Sequence, residues 1–158
     1  MNNRLRKAML ASAVLMPVLG GAATAQEQQA KEPQGIEGVW DVRITLVQCD
    51  TNNTLLTGRA ILMYGPGGRL TSVTDNFLHS ATLGTWRHIR EQNYTATDTF
   101  FVFNADGSLA GSQQVTRQIE LSADANEYTA TATTEVFNTS DQVISTGCAT
   151  STGTRLLE

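Results

Sequence analysis

The chain has 158 residues and a formal net charge of −4 at pH 7, and only 16% of its residues are charged. These charges are scattered, with no basic cluster to follow a phosphate backbone, which argues against nucleic acid as a partner. Length and composition fit one domain with a single core.

Residues 1–25 read as a signal peptide. "MNNRLRKAML" sets Arg4, Arg6 and Lys7 before the apolar run "AMLASAVLMPVLGGAA", and Ala23-Thr24-Ala25 supplies a small-residue cleavage site. Pro17, Gly20 and Gly21 interrupt that run, which is shorter than the roughly 20 apolar residues of a spanning helix. Export through the general secretory route is expected, to the periplasm or the medium, with no membrane insertion of the mature chain. Residues 26–36, polar with Pro33 and Gly35, are expected to form a disordered lead-in.

The remaining domain, residues 37–158, is strand and turn throughout. "GVWDVRITLVQCD" alternates apolar and polar positions, as a half-buried strand requires. Strands are predicted near 38–49, 58–65, 69–76, 84–90, 93–103, 108–121, 127–137 and 143–157. Most connections, such as "GPGG", "EQ" and "NADG", are short enough to force antiparallel hairpins. The fold class is therefore all-β, a single up-and-down antiparallel meander. Eight strands in that order either stay open with two bare edges or curl until the first meets the last.

Two cysteines bear on that choice. Cys49 ends the first strand and Cys148 lies near the start of the last. An exported chain with an even cysteine count is expected to form a disulfide. Placing the two opposite each other sets Leu46 against Ser151, Ile44 against Gly153, Val42 against Arg155 and Trp40 against Leu157. An eight-stranded closed barrel follows. Trp40, Val42, Ile44 and Leu46 point inward, with Ala149, Ser151, Gly153, Arg155 and Leu157 from the last strand. The cysteines fall on the outer face or the rim, and closing a loop of about a hundred residues adds a few kcal/mol in the chain-entropy model.

Gly38-Val39-Trp40 on the first strand, with Arg155 from "TGTR" on the last, resembles the structural signature of the calycin proteins, the lipocalins, avidins and fatty-acid-binding proteins. The resemblance implies a calycin-like barrel in which the guanidinium stacks on the indole and plugs one end. It makes Trp40 and Arg155 structural and puts ligand binding at the opposite, open end.

Inside such a barrel, Phe100 and Val102 are expected to face Leu109 and Gly111 across "NADG", with Val115, Ile119, Leu121 and Tyr128 further along. Ala130, Ala132, Ala149, Ser151 and Gly153 form a wall of small side chains. That wall leaves a cavity for an apolar ligand unless larger residues across the barrel fill it. Gln113 and Arg117 share the inward phase and are candidate orienting groups, together with Gln48. A bulge would instead turn Arg117 to solvent. The candidate ligand-binding set is Phe100, Val102, Gln113, Arg117, Tyr128 and Trp86.

The densest chemically capable stretch is "TDNFLHSATLGTWRHIR", which holds Asp75, His79, Trp86, Arg87, His88 and Arg90. Asp75 with His79 or His88 are the candidate catalytic groups, since histidine carries protons near neutral pH; the alternative is that these are rim residues. Two histidines nine apart with one aspartate match no metal spacing, so no metal is expected. No cofactor is expected either. The leading expectation is an exported, lipocalin-like barrel that binds a small, largely apolar metabolite. The alternatives are a cofactor-free isomerase or cyclase at the barrel mouth and a non-catalytic envelope interaction module. Oligomerisation stays open.

Overall fold

A computed structural model describes residues 35–156; the signal-peptide reading and all but two residues of the lead-in lie outside them. The strands are β1 (Gly38–Val47), β2 (Thr54–Gly65), β3 (Arg69–Thr74), β4 (Thr82–Arg90), β5 (Asn93–Phe103), β6 (Leu109–Leu121), β7 (Glu127–Asn138) and β8 (Val143–Arg155). Each pairs antiparallel with the next, and β8 returns to β1, so the sheet is a closed eight-stranded up-and-down barrel. Closure leaves no bare edge for another chain to extend.

Strand and turn chemistry are both local. Thr, Val and aromatic residues fill the pleated positions, and short polar side chains fold the loops back on themselves. Asp106 accepts from the Ser108 amide at 2.9 Å, Asp124 from the Asn126 amide at 3.2 Å, and Asn138 from the amides of Ser140 and Gln142. These three side chains shape the connections that follow β5, β6 and β7.

Alternation sends one face of every strand inward. Trp40 and Val42 of β1, Ala60, Leu62 and Tyr64 of β2, and Leu70 of β3 are all buried, as are Tyr94 and Ala96 of β5. Toward the end that holds Trp40, a chain of aromatic rings crosses the interior, edge to face in three of its four contacts. Trp40 meets Tyr128 at 5.0 Å between centroids, Tyr128 meets Tyr64 at 6.1 Å, Tyr64 meets Trp86 at 6.3 Å, and Trp86 meets Tyr94 at 5.9 Å. Gly153 is needed here because a Cβ would collide with the Tyr128 ring. The space left by this small residue is therefore filled by a large one from the neighbouring strand.

Arg155 closes this end. Its guanidinium lies 4.3 Å from the Trp40 ring and donates to the carbonyls of Ala125 (2.7 Å), Glu37 (2.5 Å) and Gly35 (2.7 Å). The Trp40 indole donates to the Ile36 carbonyl at 2.9 Å, and Ile36 is fully buried. The last two residues of the lead-in are thus bound into the barrel floor. Gly38, at φ 134°, lies in the left-handed region, and any side chain there would strike the Arg155 guanidinium.

The seam differs from the expected register by two residues. Trp40 lies opposite Arg155, Val42 opposite Gly153, Ile44 opposite Ser151 and Leu46 opposite Ala149. A two-residue slip preserves which face each side chain takes, and the direct Trp40–Arg155 pairing brings the cation over the ring. Cys148 then faces Val47, and Cys49 lies beyond the end of β1 after an irregularity at Leu46/Val47. The Cys49–Cys148 disulfide still forms, with Cα atoms 5.1 Å apart, at the end away from Trp40.

Two stability experiments test this account. Arg155→Ala leaves three buried-side carbonyls without a donor and removes the cation from the indole, so urea unfolding should show a loss of about 3–5 kcal/mol. The double variant Cys49→Ser/Cys148→Ser should lose about 2–5 kcal/mol relative to the oxidised protein, and adding reductant should then change it no further.

Candidate functional site

The end opposite the Arg155 plug is the mouth. It is edged by the β1–β2, β3–β4, β5–β6 and β7–β8 connections, and small side chains line the lumen beneath it. Gly58, Thr82, Ala132, Thr134, Gly147 and Ala149 are on the inward phase, facing Ile44, Phe100 and Val115. Several inward residues in this half keep partial solvent access, namely Ile44, Gln113, Arg117, Ala132 and Ser151.

Arg117 projects inward from β6 and forms an ion pair with Asp98 of β5. A second contact runs from Arg117 Nη2 to Asp98 Oδ2 at 3.4 Å. No bulge turns Arg117 outward; its phase follows Val115 and Ile119. The Asp98 side chain is only 1% accessible, whereas 12% of the Arg117 side chain remains open. Burial pushes the guanidinium down from its ordinary value, and the nearby Tyr64 and Tyr128 oppose that shift. Burial likewise raises Tyr128 to about 12 and Tyr64 well above the usual phenol value. Both hydroxyls therefore stay protonated, and both are buried without a hydrogen-bond partner among the described residues.

Asp98 is absent from the sequence-based set. It sits in phase with Tyr94, Ala96 and Phe100 in "YTATDTF", and that shared parity is the signal that identifies it. Leu109, expected inside, is 47% exposed because the pairing slips at Val102/Phe103. Gln48, also considered an orienting group, lies past the end of β1. It is exposed and bonded to Thr51 and Asn53 of its own turn.

The chemically capable stretch is divided between the two ends of the barrel. His79 sits at the mouth, where it pairs with Val102 of β5 and its ring packs 4.7 Å from Phe100. Its Nε2 lies 3.1 Å from the Asn76 amide nitrogen, and its Nδ1 is buried without a partner. No hydrogen bond joins it to Asp75, which is exposed near Gly58. Trp86 and His88 lie toward the floor. Trp86 donates to the Gly65 carbonyl at 2.9 Å, and exposed His88 packs on Tyr94 and holds the Glu91 carbonyl at 2.7 Å. Arg87 and Arg90 are exposed.

The outer wall carries two grooves. One of about 590 Å³ crosses β6, β7 and β8, with Gln118, Thr129, Thr131, Thr150 and Thr152 among its lining residues. A smaller one of about 300 Å³ lies beside the disulfide. Both are walled mainly by outward-facing polar side chains. No group of three or more potential metal ligands gathers among the described residues. No protein-family model, no curated protein and no solved structure matches the chain.

Two measurements follow. Asp98→Asn strands a buried guanidinium and should cost about 3–5 kcal/mol, while Asp98→Leu/Arg117→Met should recover most of that loss. Burial lowers the His79 pKa below 6.5, so the unfolded chain binds more protons as pH falls past 6.5. Stability should therefore decline slightly in that window for the wild type and less for His79→Asn, with NMR titration of the ring showing a midpoint below 6.5.

Proposed function

We propose that this is an exported, calycin-like binding barrel that takes a small, largely apolar molecule into the open half of its lumen. Arg117 serves there as the polar contact. The observation that carries this reading is Arg117 itself, an inward cation that stays partly accessible among mostly uncharged side chains while its counter-ion is sealed. A guanidinium has five N–H donors, and one carboxylate cannot use all of them. The ligand group that completes the site is a hydrogen-bond acceptor, carried on an apolar body that fits against Phe100, Val115 and Ile44.

The Trp40–Arg155 plug supports the calycin-like assignment, as do the strand count and the meander order. The disulfide supports an oxidising compartment and hence export. Catalysis at the mouth has weaker support, because the histidine nearest the lumen is partnered by an amide rather than a carboxylate.

The test is native mass spectrometry of the purified protein for copurified small molecules, run beside Ala132→Trp. Ala132 lies opposite Arg117 on β7, so a tryptophan there fills the lumen at a cost of about 1–3 kcal/mol in stability. The wild type should carry a ligand that the folded variant has lost. A ligand retained in full by Ala132→Trp, or a wild type that is empty after extraction from its native compartment, would defeat the proposal.

A further inference from the structure

The mouth is ringed by exposed apolar side chains. Leu55, Leu56, Phe77, Leu109, Val143 and Ile144 all stand bare around it, with Phe77 at 87% exposure. They come from all four connections or the strand ends beside them, so every side of the opening carries at least one. The other exposed apolar side chains among the described residues, of which Leu83 at 71% is the barest, are spread over the outer wall and the floor. Six exposed apolar side chains around one opening make it a candidate interaction site.

Charge decides what covers it. Each of the four connections carries one aspartate, Asp50, Asp75, Asp106 or Asp141, and none carries a lysine or arginine. All four aspartates are exposed. Arg59, the cation near Asp75, is already held bidentately by Asp41 at 2.7 and 2.8 Å. An anionic lipid surface would be repelled by this ring, and so would the mouth of a second copy. A cationic partner with one apolar face satisfies both features at once.

We infer that the mouth docks a basic amphipathic segment of a partner protein, with its apolar face against the crown and its Lys or Arg side chains against the four aspartates. The inference rests on the rim alone and does not depend on what occupies the lumen.

The experiment uses the oxidised protein and a synthetic amphipathic helix built only of leucine and lysine, with its leucine–glutamate counterpart as control. Fluorescence anisotropy should show saturable binding of the lysine peptide that weakens as salt rises, and none of the glutamate peptide. Asp50→Asn/Asp75→Asn/Asp106→Asn/Asp141→Asn should weaken binding at least about tenfold. Phe77→Ser/Ile144→Ser should do the same, with melting temperatures unchanged. Thr150→Lys on the outer wall should leave binding intact by comparison with either set. Equal binding to the quadruple variant, or to the glutamate peptide, overturns the inference. So does Phe77-dependent partitioning into phosphatidylcholine vesicles, which assigns the crown to lipid. A concentration-dependent dimer abolished by Phe77→Ser/Ile144→Ser overturns it too, by assigning the crown to a second copy.

Discussion

The stacking of Arg155 on Trp40 is the interaction on which the closed barrel depends. Seven of the eight strand pairings join neighbours in sequence and need little more than a competent turn. The eighth brings β8 back to β1 across the whole domain, where loop-closure entropy opposes it. One guanidinium meets this demand with a ring face and three carbonyls from two other segments, so it joins the lead-in, the β6–β7 turn and the seam in a single contact. The aromatic chain from Trp40 to Tyr94 then fills the closed half.

Burial and charge divide the interior. Below Arg117 the lumen is packed with rings, and the tyrosine hydroxyls there are held neutral by their surroundings. Above it, small residues predominate and solvent reaches side chains that still point inward. The Arg117–Asp98 pair stands at that boundary. A buried ion pair adds little net stability compared with a hydrophobic pair of similar volume, so folding stability alone does not account for it.

Much of this architecture was legible in the sequence because a period of two is a strong signal in a closed sheet. Strand order, the inward phase and the cysteine pair follow from alternation, short turns and parity. Register did not follow, for the same reason: a slip of two leaves every residue on its own face, and only the geometry of Arg155 against Trp40 separates the two alternatives. Asp98 was overlooked because threonines surround it and make its segment look solvated, although its parity is that of Tyr94 and Phe100. Closeness in sequence also misled at His79 and His88. Nine residues of extended chain cover about 30 Å, so two histidines in one short stretch stand near opposite ends of the barrel.

The seam is fastened at its two ends by different chemistry. At the floor the fastening is a cation on a ring, and arginine keeps its charge at any physiological pH. At the mouth it is a disulfide, which a change of redox environment can undo. A barrel of this kind has a preferred direction of unzipping: reduction removes the covalent tie at the mouth, leaving only the β1–β8 ladder there, while the floor stays latched. Any partial opening would then begin at the mouth and expose two strand edges there, with the packed half left intact.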